Sequence, residues 1–169
     1  MSAKAVIAVI GSGDAYGDVC DLAFEVGAGL ARHGALLVCG GRGGVMQAAA
    51  HGALAAGGHT LGILPGYERE AANPYIEFAV ATGMGQARNV IVVATADAVI
   101  ALDGEGGTLS EIGLALKLGR PVVVLRSFAE IADQRPGVAR AETAADAVEL
   151  ALDLARRNRA GSTSPRLED

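Results

Sequence analysis

Three glycine-rich stretches and two isolated charges carry the chemistry in this sequence. Gly11-Ser12-Gly13 closes one apolar run, Gly40-Gly41-Arg42-Gly43-Gly44 a second, and Gly104-Glu105-Gly106-Gly107-Thr108 comes soon after a third. The last two each lead into a helix-like segment. At such a junction, free backbone N–H groups and the positive end of a helix dipole converge on one point, which suits a phosphate. Glycine lets the anion come close to the backbone. The candidate ligand contacts are therefore Gly11, Ser12, Gly40, Gly41, Gly43, Gly44, Gly104, Gly106 and Gly107, with the Thr108 hydroxyl as a further donor. Arg42, flanked by glycines, either reaches the same anion or is a solvated surface charge. The bland alternative is that these glycines only make tight turns. Arg88 has Met84, Ile91, Val92 and Thr95 as its helical neighbours. A charge on an apolar face needs a partner or a bound anion. It is read as a ligand contact, as the orienter of Glu111, or as half of a structural ion pair. Glu111 precedes the apolar Ile112-Gly113-Leu114-Ala115-Leu116. It either faces the ligand or closes a Thr108-x-x-Glu111 capping box.

The elements that must position these groups read as alternating runs. Residues 5–10, 36–39, 60–64, 98–102 and 121–125 are short apolar runs, the pattern of buried parallel strands, with a further short strand at 76–80. Residues 18–33 set Leu22, Val26 and Leu30 on one helical face, and Gly34 stops that helix. The small residues of 45–56 suggest a helix packed tightly against a sheet. Further helices are read at 84–95, 108–118 and 144–157, and a surface loop at 67–74. The alternation predicts an α/β fold, a Rossmann-like three-layer sandwich with a mostly parallel sheet and helices on both faces. One domain is expected over 1–160, with a flexible polar tail over 161–169. Ligands of such sheets bind beyond the carboxyl ends of the strands, where all three glycine loops fall.

The motifs have a family likeness. Gly40-Gly41-Arg42-Gly43-Gly44-Val45-Met46 resembles the GGGxxGLM motif of the LOG (Lonely Guy) family, and Gly107-Thr108-Leu109-Ser110-Glu111 resembles the GTxxE half of its PGGxGTxxE motif. Arg88 falls where that family has its catalytic arginine. The resemblance spans about residues 5–125. It implies a Rossmann-like oligomer, a homodimer or homotetramer, whose best-known activity is hydrolysis of the N-glycosidic bond of cytokinin nucleoside 5′-monophosphates. By carry-over, loop 104–108 holds the phosphate, Met46 belongs to the binding loop, and Arg88 and Glu111 form the catalytic pair. A carboxylate at Glu111 would stabilise the oxocarbenium character of that cleavage. The chain departs from the pattern at Asp103-Gly104-Glu105, where the family has Pro-Gly-Gly, and at Asn89, where the cytokinin-activating enzymes usually carry Lys. Two acids beside a phosphate cradle are unfavourable unless offset. These departures resemble the short bacterial branch that includes molybdenum cofactor carrier proteins. Two readings follow: a nucleoside 5′-monophosphate phosphoribohydrolase, or a non-catalytic binder of a phosphorylated pterin such as molybdenum cofactor. A nucleotide sensor is a third. No cofactor is required in the first reading; a bound nucleotide or molybdenum cofactor is the expected ligand.

Composition narrows the classes. The 24 glycines among 169 residues are about twice the ordinary ~7% share. A net charge of −5 and six aromatics with no Trp weigh against a nucleic-acid surface. Gly11-x-Gly13-x-x-x-Gly17 is one residue too long for the dinucleotide fingerprint, Cys39-Gly40 stands where an acid for the ribose would be sought, and no GxxxxGK[ST] occurs. Cys20 and Cys39 show no metal-ligand spacing and are read as reduced thiols, so no metal site is expected. Asp14 and Tyr16 could line the same crevice. His33, His51 and His59 read as helix-end partners or surface residues, and Asp97 as a turn residue. The N-terminus lacks a signal-peptide layout and no apolar run reaches about 18 residues, so a cytoplasmic protein without membrane contact is expected. The surplus apolar surface of the helices from 84 and 108 points to homo-oligomerisation.

Overall fold

The computed structural model describes residues 4–161. Seven strands form one all-parallel sheet in the order β4-β3-β2-β1-β5-β6-β7. They are β1 (Val6–Gly11), β2 (Leu36–Cys39), β3 (His59–Leu64), β4 (Phe78–Ala81), β5 (Ala98–Leu102), β6 (Val122–Leu125) and β7 (Val138–Ala141). Five helices lie between them, α1 (Asp18–Arg32), α2 (Val45–Ala55), α3 (Asn89–Thr95), α4 (Gly106–Lys117) and α5 (Ala129–Gln134), and α6 (Ala144–Gly161) follows β7. The central strands are apolar on both faces because both faces are covered. Ile7 and Val9 of β1 enter the core under α1, α2 and α6, while Ala8 and Ile10 enter the one under α3 and α4. Strand β5 alternates likewise, with Ile100 on the first face and Val99 and Ala101 on the second.

The Rossmann-like architecture matches the sequence reading, with four differences. Residues 84–95 are not one helix: a 3-10 turn at Gly85–Arg88 precedes α3, and Gly85 has a left-handed φ of 57° that an α-helix could not continue through. Helix α5 and strand β7 were not foreseen. Helix α2 packs on the sheet as expected, but its tightest contact is with α1. A Cβ on Gly52 would lie 2.0 Å from the Phe24 carbonyl oxygen, and one on Gly27 1.9 Å from that of Ala49, so both glycines are required by the helix crossing. Finally, α6 runs past the expected 157 to Gly161, the last described residue; the rest of the expected polar tail lies outside the described residues. No described helix is long and apolar enough to cross a membrane.

Strand order places the site. From β1 the chain builds outward through β2, β3 and β4, then returns to lay β5, β6 and β7 on the other side. The reversal falls between β1 and β5, the topological switch point where open α/β sheets bind ligands. Gly11 pairs with Leu102, so the loops after β1 and β5 leave the sheet side by side. A Cβ on Gly11 would stand 2.2 Å from the Leu102 carbonyl oxygen, which is why that position is glycine.

Candidate functional site

Beyond these strand ends lies a cleft of about 460 Å³. The loop after β1 supplies Gly11, Ser12, Gly13 and Asp14. The loop after β2 supplies Gly40, Arg42 and Gly43, with Met46 from α2. Gln86, Arg88 and Asn89 come from the 3-10 turn and the start of α3, and Glu105, Gly107, Thr108 and Glu111 from the third loop and α4. The fold thus brings together residues spread over most of the chain. Of the glycines expected at the ligand, Gly41, Gly44, Gly104 and Gly106 do not line the cleft. The first three serve the backbone, with φ of 71°, 58° and 129°. Gly106 is exposed at the first position of α4. Gln86 is a lining residue that the sequence reading missed; a lone Gln in a 3-10 turn carries no motif.

The glycines divide by cause. A Cβ on Gly40 would lie 2.5 Å from Arg88 Nη1 and 2.7 Å from Nη2, so Gly40 is glycine because the guanidinium crosses it. Gly44 would meet the Ser12 carbonyl oxygen at 2.2 Å. Gly106 and Gly107 differ: neither has a positive φ, and a Cβ on either would face open space. Nothing within the fold requires these two to be glycine, although each costs a helix roughly 0.5–1 kcal/mol relative to Ala.

Capping is a weaker signal, because helices α1 to α5 all lack a side-chain cap. Helix α6 begins with a reciprocal cap in which the Thr143 N–H donates to Asp146 Oδ2 at 3.2 Å and the Asp146 N–H to Thr143 Oγ1 at 3.1 Å. Helices α2 and α4, which point their N-termini at the cleft, have no side-chain cap and no acid in the first turn. In α2 the first of these N–H groups, that of Val45, donates to the Ser12 carbonyl at 3.0 Å; the other first-turn N–H groups and the positive dipole ends are left for a ligand. The Thr108-x-x-Glu111 capping box is therefore corrected. The N-cap of α4 is Glu105, so the two glycines enter the helix and Thr108 is already its third residue. From there Glu111 turns its side chain into the cleft rather than back to the helix start.

Arg88 is buried, at 6% exposure. Its Nη1 donates to Asn89 Oδ1, while its Nε has no partner. Burial pulls the guanidinium below its usual value, against the opposing pull of Glu111 and Cys39. Glu111, 9% exposed, is pushed by burial from 4.5 to about 7, with the Arg88 charge opposing the rise. The two sense each other electrostatically, yet none of the ion pairs among the described residues joins them. The structural ion pair offered for Arg88 is therefore not formed.

The acids flagged after β5 behave differently from each other. Asp103 has a left-handed φ of 48° and its carboxylate accepts a hydrogen bond from Ser127 Oγ at 2.8 Å. Only Glu105 lines the cleft. Arg42 is exposed at the cleft mouth. Its loop is braced by Asn73, whose Nδ2 donates to the Arg42 carbonyl at 2.8 Å and whose N–H donates to that of Gly41 at 2.9 Å. The expected surface loop at 67–74 thus also works as a brace.

The remaining candidates lie elsewhere. Tyr16 is exposed and outside the cleft. His33 Nδ1 lies 2.8 Å from the Gly29 carbonyl, His51 stacks on Tyr75, and His59 pairs with Glu77 at 2.7 Å. Asp97 accepts the Val6 N–H at 2.8 Å and pairs with Arg159. Cys39 is fully buried, and burial raises its thiol to about 11, so it stays protonated. Among the described residues no group of three or more His, Cys, Asp or Glu could hold a metal ion. A wider depression of 620 Å³ between the end of α1 and α6 gathers surface charges but no glycine loop and no helix N-terminus aimed at one point.

The SLOG cluster4 family model matches residues 4–152. The structure of the molybdenum cofactor binding protein from the phototrophic bacterium Rippkaea orientalis superposes with a TM-score of 0.83 at 35% identity, covering 91% of this chain and 99% of that one. The molybdenum cofactor carrier protein from Chlamydomonas reinhardtii gives 0.83 at 33% identity, covering 90% and 98%. An uncharacterized protein of Archaeoglobus fulgidus is 43% identical over 120 residues, 71% of this chain and 79% of its own length.

Proposed function

The chain belongs to the SLOG cluster4 family, and from that premise we propose that it binds and carries a phosphorylated pterin of the molybdenum cofactor type without turning it over. The observation that carries this reading is the N-terminus of α4, which has no side-chain cap and no first-turn acid and is entered through Gly107, a cleft-lining glycine that the fold itself does not need. Backbone N–H groups there can close on a phosphate, with the Thr108 hydroxyl beside them. Arg88 supplies the buried positive charge, and Arg42 a second one at the mouth. The likeness to two molybdenum cofactor proteins over nearly their whole length supports the choice of ligand.

The state of Glu111 fits carriage and hydrolysis alike. A carboxyl raised toward neutrality can donate a hydrogen bond to a carried ligand or act as the general acid of a glycosidic cleavage. A carboxyl pushed to about 7 is half protonated at neutral pH, and a phosphate anion nearby would protonate it further. In that state it donates a hydrogen bond to the ligand. The phosphoribohydrolase reading keeps one specific support, that Arg88 and Glu111 line the same cleft.

The test is to purify the protein from a host that makes the cofactor, oxidise any bound pterin to its fluorescent form, and quantify it. We expect phosphorylated pterin in wild type and its loss in Arg88→Met. Absence of pterin, together with base release from nucleoside 5′-monophosphates that Glu111→Ala abolishes, would replace carriage with hydrolysis.

A further inference from the structure

The turn after β6 belongs to none of the motifs, yet it contacts Asp103 in the loop after β5 and Asp18 at the start of α1. Among the described residues, the non-glycine residues with left-handed φ are Asp103 (48°), Arg126 (76°) and Phe128 (66°). All lie in the two adjacent loops after β5 and β6. Such backbone is strained for an L-residue. It persists only where the surroundings over-determine it, and it clusters at functional sites.

Here the two loops over-determine each other. Ser127, between two strained residues, donates from Oγ to Asp103 Oδ1 at 2.8 Å. Arg126 Nη1 donates to Asp18 Oδ2 at 2.5 Å, and Asp18 opens α1 where the loop after β1 ends. One tripeptide therefore ties down the loop on each side of the switch point. From Asp103 the constraint passes on directly. Gly104 follows with φ 129°, and a Cβ there would be 2.1 Å from Thr108 Oγ1. The backbone after Asp103 therefore passes close against the Thr108 side chain, where only glycine fits.

We propose that Ser127 is a positioning residue for the ligand, acting through Asp103 to hold loop 104–107 in the shape that aims the N–H groups of α4 into the cleft. The proposal rests on the phosphate-cradle reading above. It also explains the acid at 103. Proline is locked near a φ of about −65° and cannot adopt 48°, so the stiffness a ring would give comes here from a tether. The same tether turns the Asp103 carboxylate toward Ser127 and Arg126, which senses its charge.

The experiment compares wild type, Ser127→Ala and Ser127→Thr. Inorganic pyrophosphate is the calorimetric probe, backbone nitrogen-15 relaxation reports on 104–108, and a melting curve serves as the stability control. In Ser127→Ala we expect lower order parameters confined to 104–108 and an unchanged melting temperature. Pyrophosphate binding should weaken about tenfold, equivalent to about 1.4 kcal/mol. Ser127→Thr, which keeps the hydroxyl, should restore both. Unchanged order parameters in Ser127→Ala, or lowered ones with unchanged affinity, overturn the positioning role. So does an affinity loss that only follows a fall in melting temperature. If wild type takes up no pyrophosphate, the cradle reading falls and the positioning role falls with it. If wild type and Ser127→Ala bind it equally, only the positioning role falls.

Discussion

Replacing Glu111 with Gln should remove a pH dependence of stability that this one side chain imposes. Burial raises its carboxyl from 4.5 to about 7, so the folded protein holds that proton more tightly than the unfolded chain does. A group whose pKa rises on folding contributes stability that is fully present below its unfolded value, here 4.5. That contribution is lost as pH rises through about 7. At 1.36 kcal/mol per pH unit, the gap corresponds to about 3 kcal/mol. Gln is nearly isosteric and stays neutral, so Glu111→Gln loses that contribution's pH dependence while keeping the packing. The assay is urea unfolding of both proteins, without ligand, near pH 5 and near pH 8.5, treated as two-state. Wild type should lose about 2.5 kcal/mol more than the variant between the two conditions, since at pH 5 the unfolded carboxyl is already partly ionised. The variant should be the more stable of the two at the higher pH. Other titrating groups are common to both proteins and cancel. Equal pH dependence, within about 0.5 kcal/mol, would show that Glu111 is ionised at little cost. The case for a protonated, hydrogen-bond-donating carboxyl would then fail.

Gly107→Ala should stabilise the free protein by up to about 1 kcal/mol, because its φ is ordinary and its Cβ faces open space, and alanine is the better helix former. The same substitution should weaken pyrophosphate binding; calorimetry and denaturant titration together check both signs. Gly40→Ala should act like loss of Arg88, since the new Cβ falls 2.5 Å from Nη1 and displaces the guanidinium; pterin retention should drop to background while circular dichroism stays native. Light scattering should give a dimer or larger, because Met84, Leu109 and Leu118 remain 43–47% exposed on the cleft-side helical layer.

The strand ends and glycine loops were legible because both are local signals. Four-to-six-residue apolar runs stop at glycine, and buried parallel strands leave few other patterns. Arg88 and Glu111 were legible through a motif, and their convergence on one cleft follows from the strand order. What escaped depends on tertiary context. The Thr-x-x-Glu spacing is a valid capping signal, but the first turn of α4 starts two residues earlier, where Gly106 and Gly107 are helical. Helix α5 has six residues and β7 four, too short for periodicity to stand out from a polar surround. Arg126, Ser127 and Phe128 show nothing in one dimension. Their left-handed turn is dictated by partners 108 and 24 residues away. Asp103 read as a repulsive charge because its rotation toward Ser127 is invisible without the neighbouring loop.

The two ends of the sheet are built to opposite rules, and the difference predicts how the protein should respond to its ligand. At the amino end, Asp97 satisfies the Val6 N–H and pairs with Arg159, Asn158 donates to the Asp97 carbonyl, and Arg120, despite an unpartnered Nε, donates to the Ala94 carbonyl. Those contacts join α3, α6 and the edges of β1 and β5 into a closed network. At the carboxyl end the same chain keeps a buried arginine short of partners, a carboxyl raised toward neutrality, helices α2 and α4 facing the cleft with neither a side-chain cap nor a first-turn acid, and three left-handed non-glycine residues. Each of these is destabilising alone, and an anion in the cleft relieves the first and third together. Binding then adds stability by mass action, about 2.7 kcal/mol at a hundredfold excess over Kd. That stabilisation should concentrate in the loops after β2 and β5 and leave the amino end as it was. Hydrogen exchange that slows evenly across the sheet on adding pyrophosphate would contradict this division. Slowing confined to 40–46 and 103–111 would place the anion at the N-termini of α2 and α4.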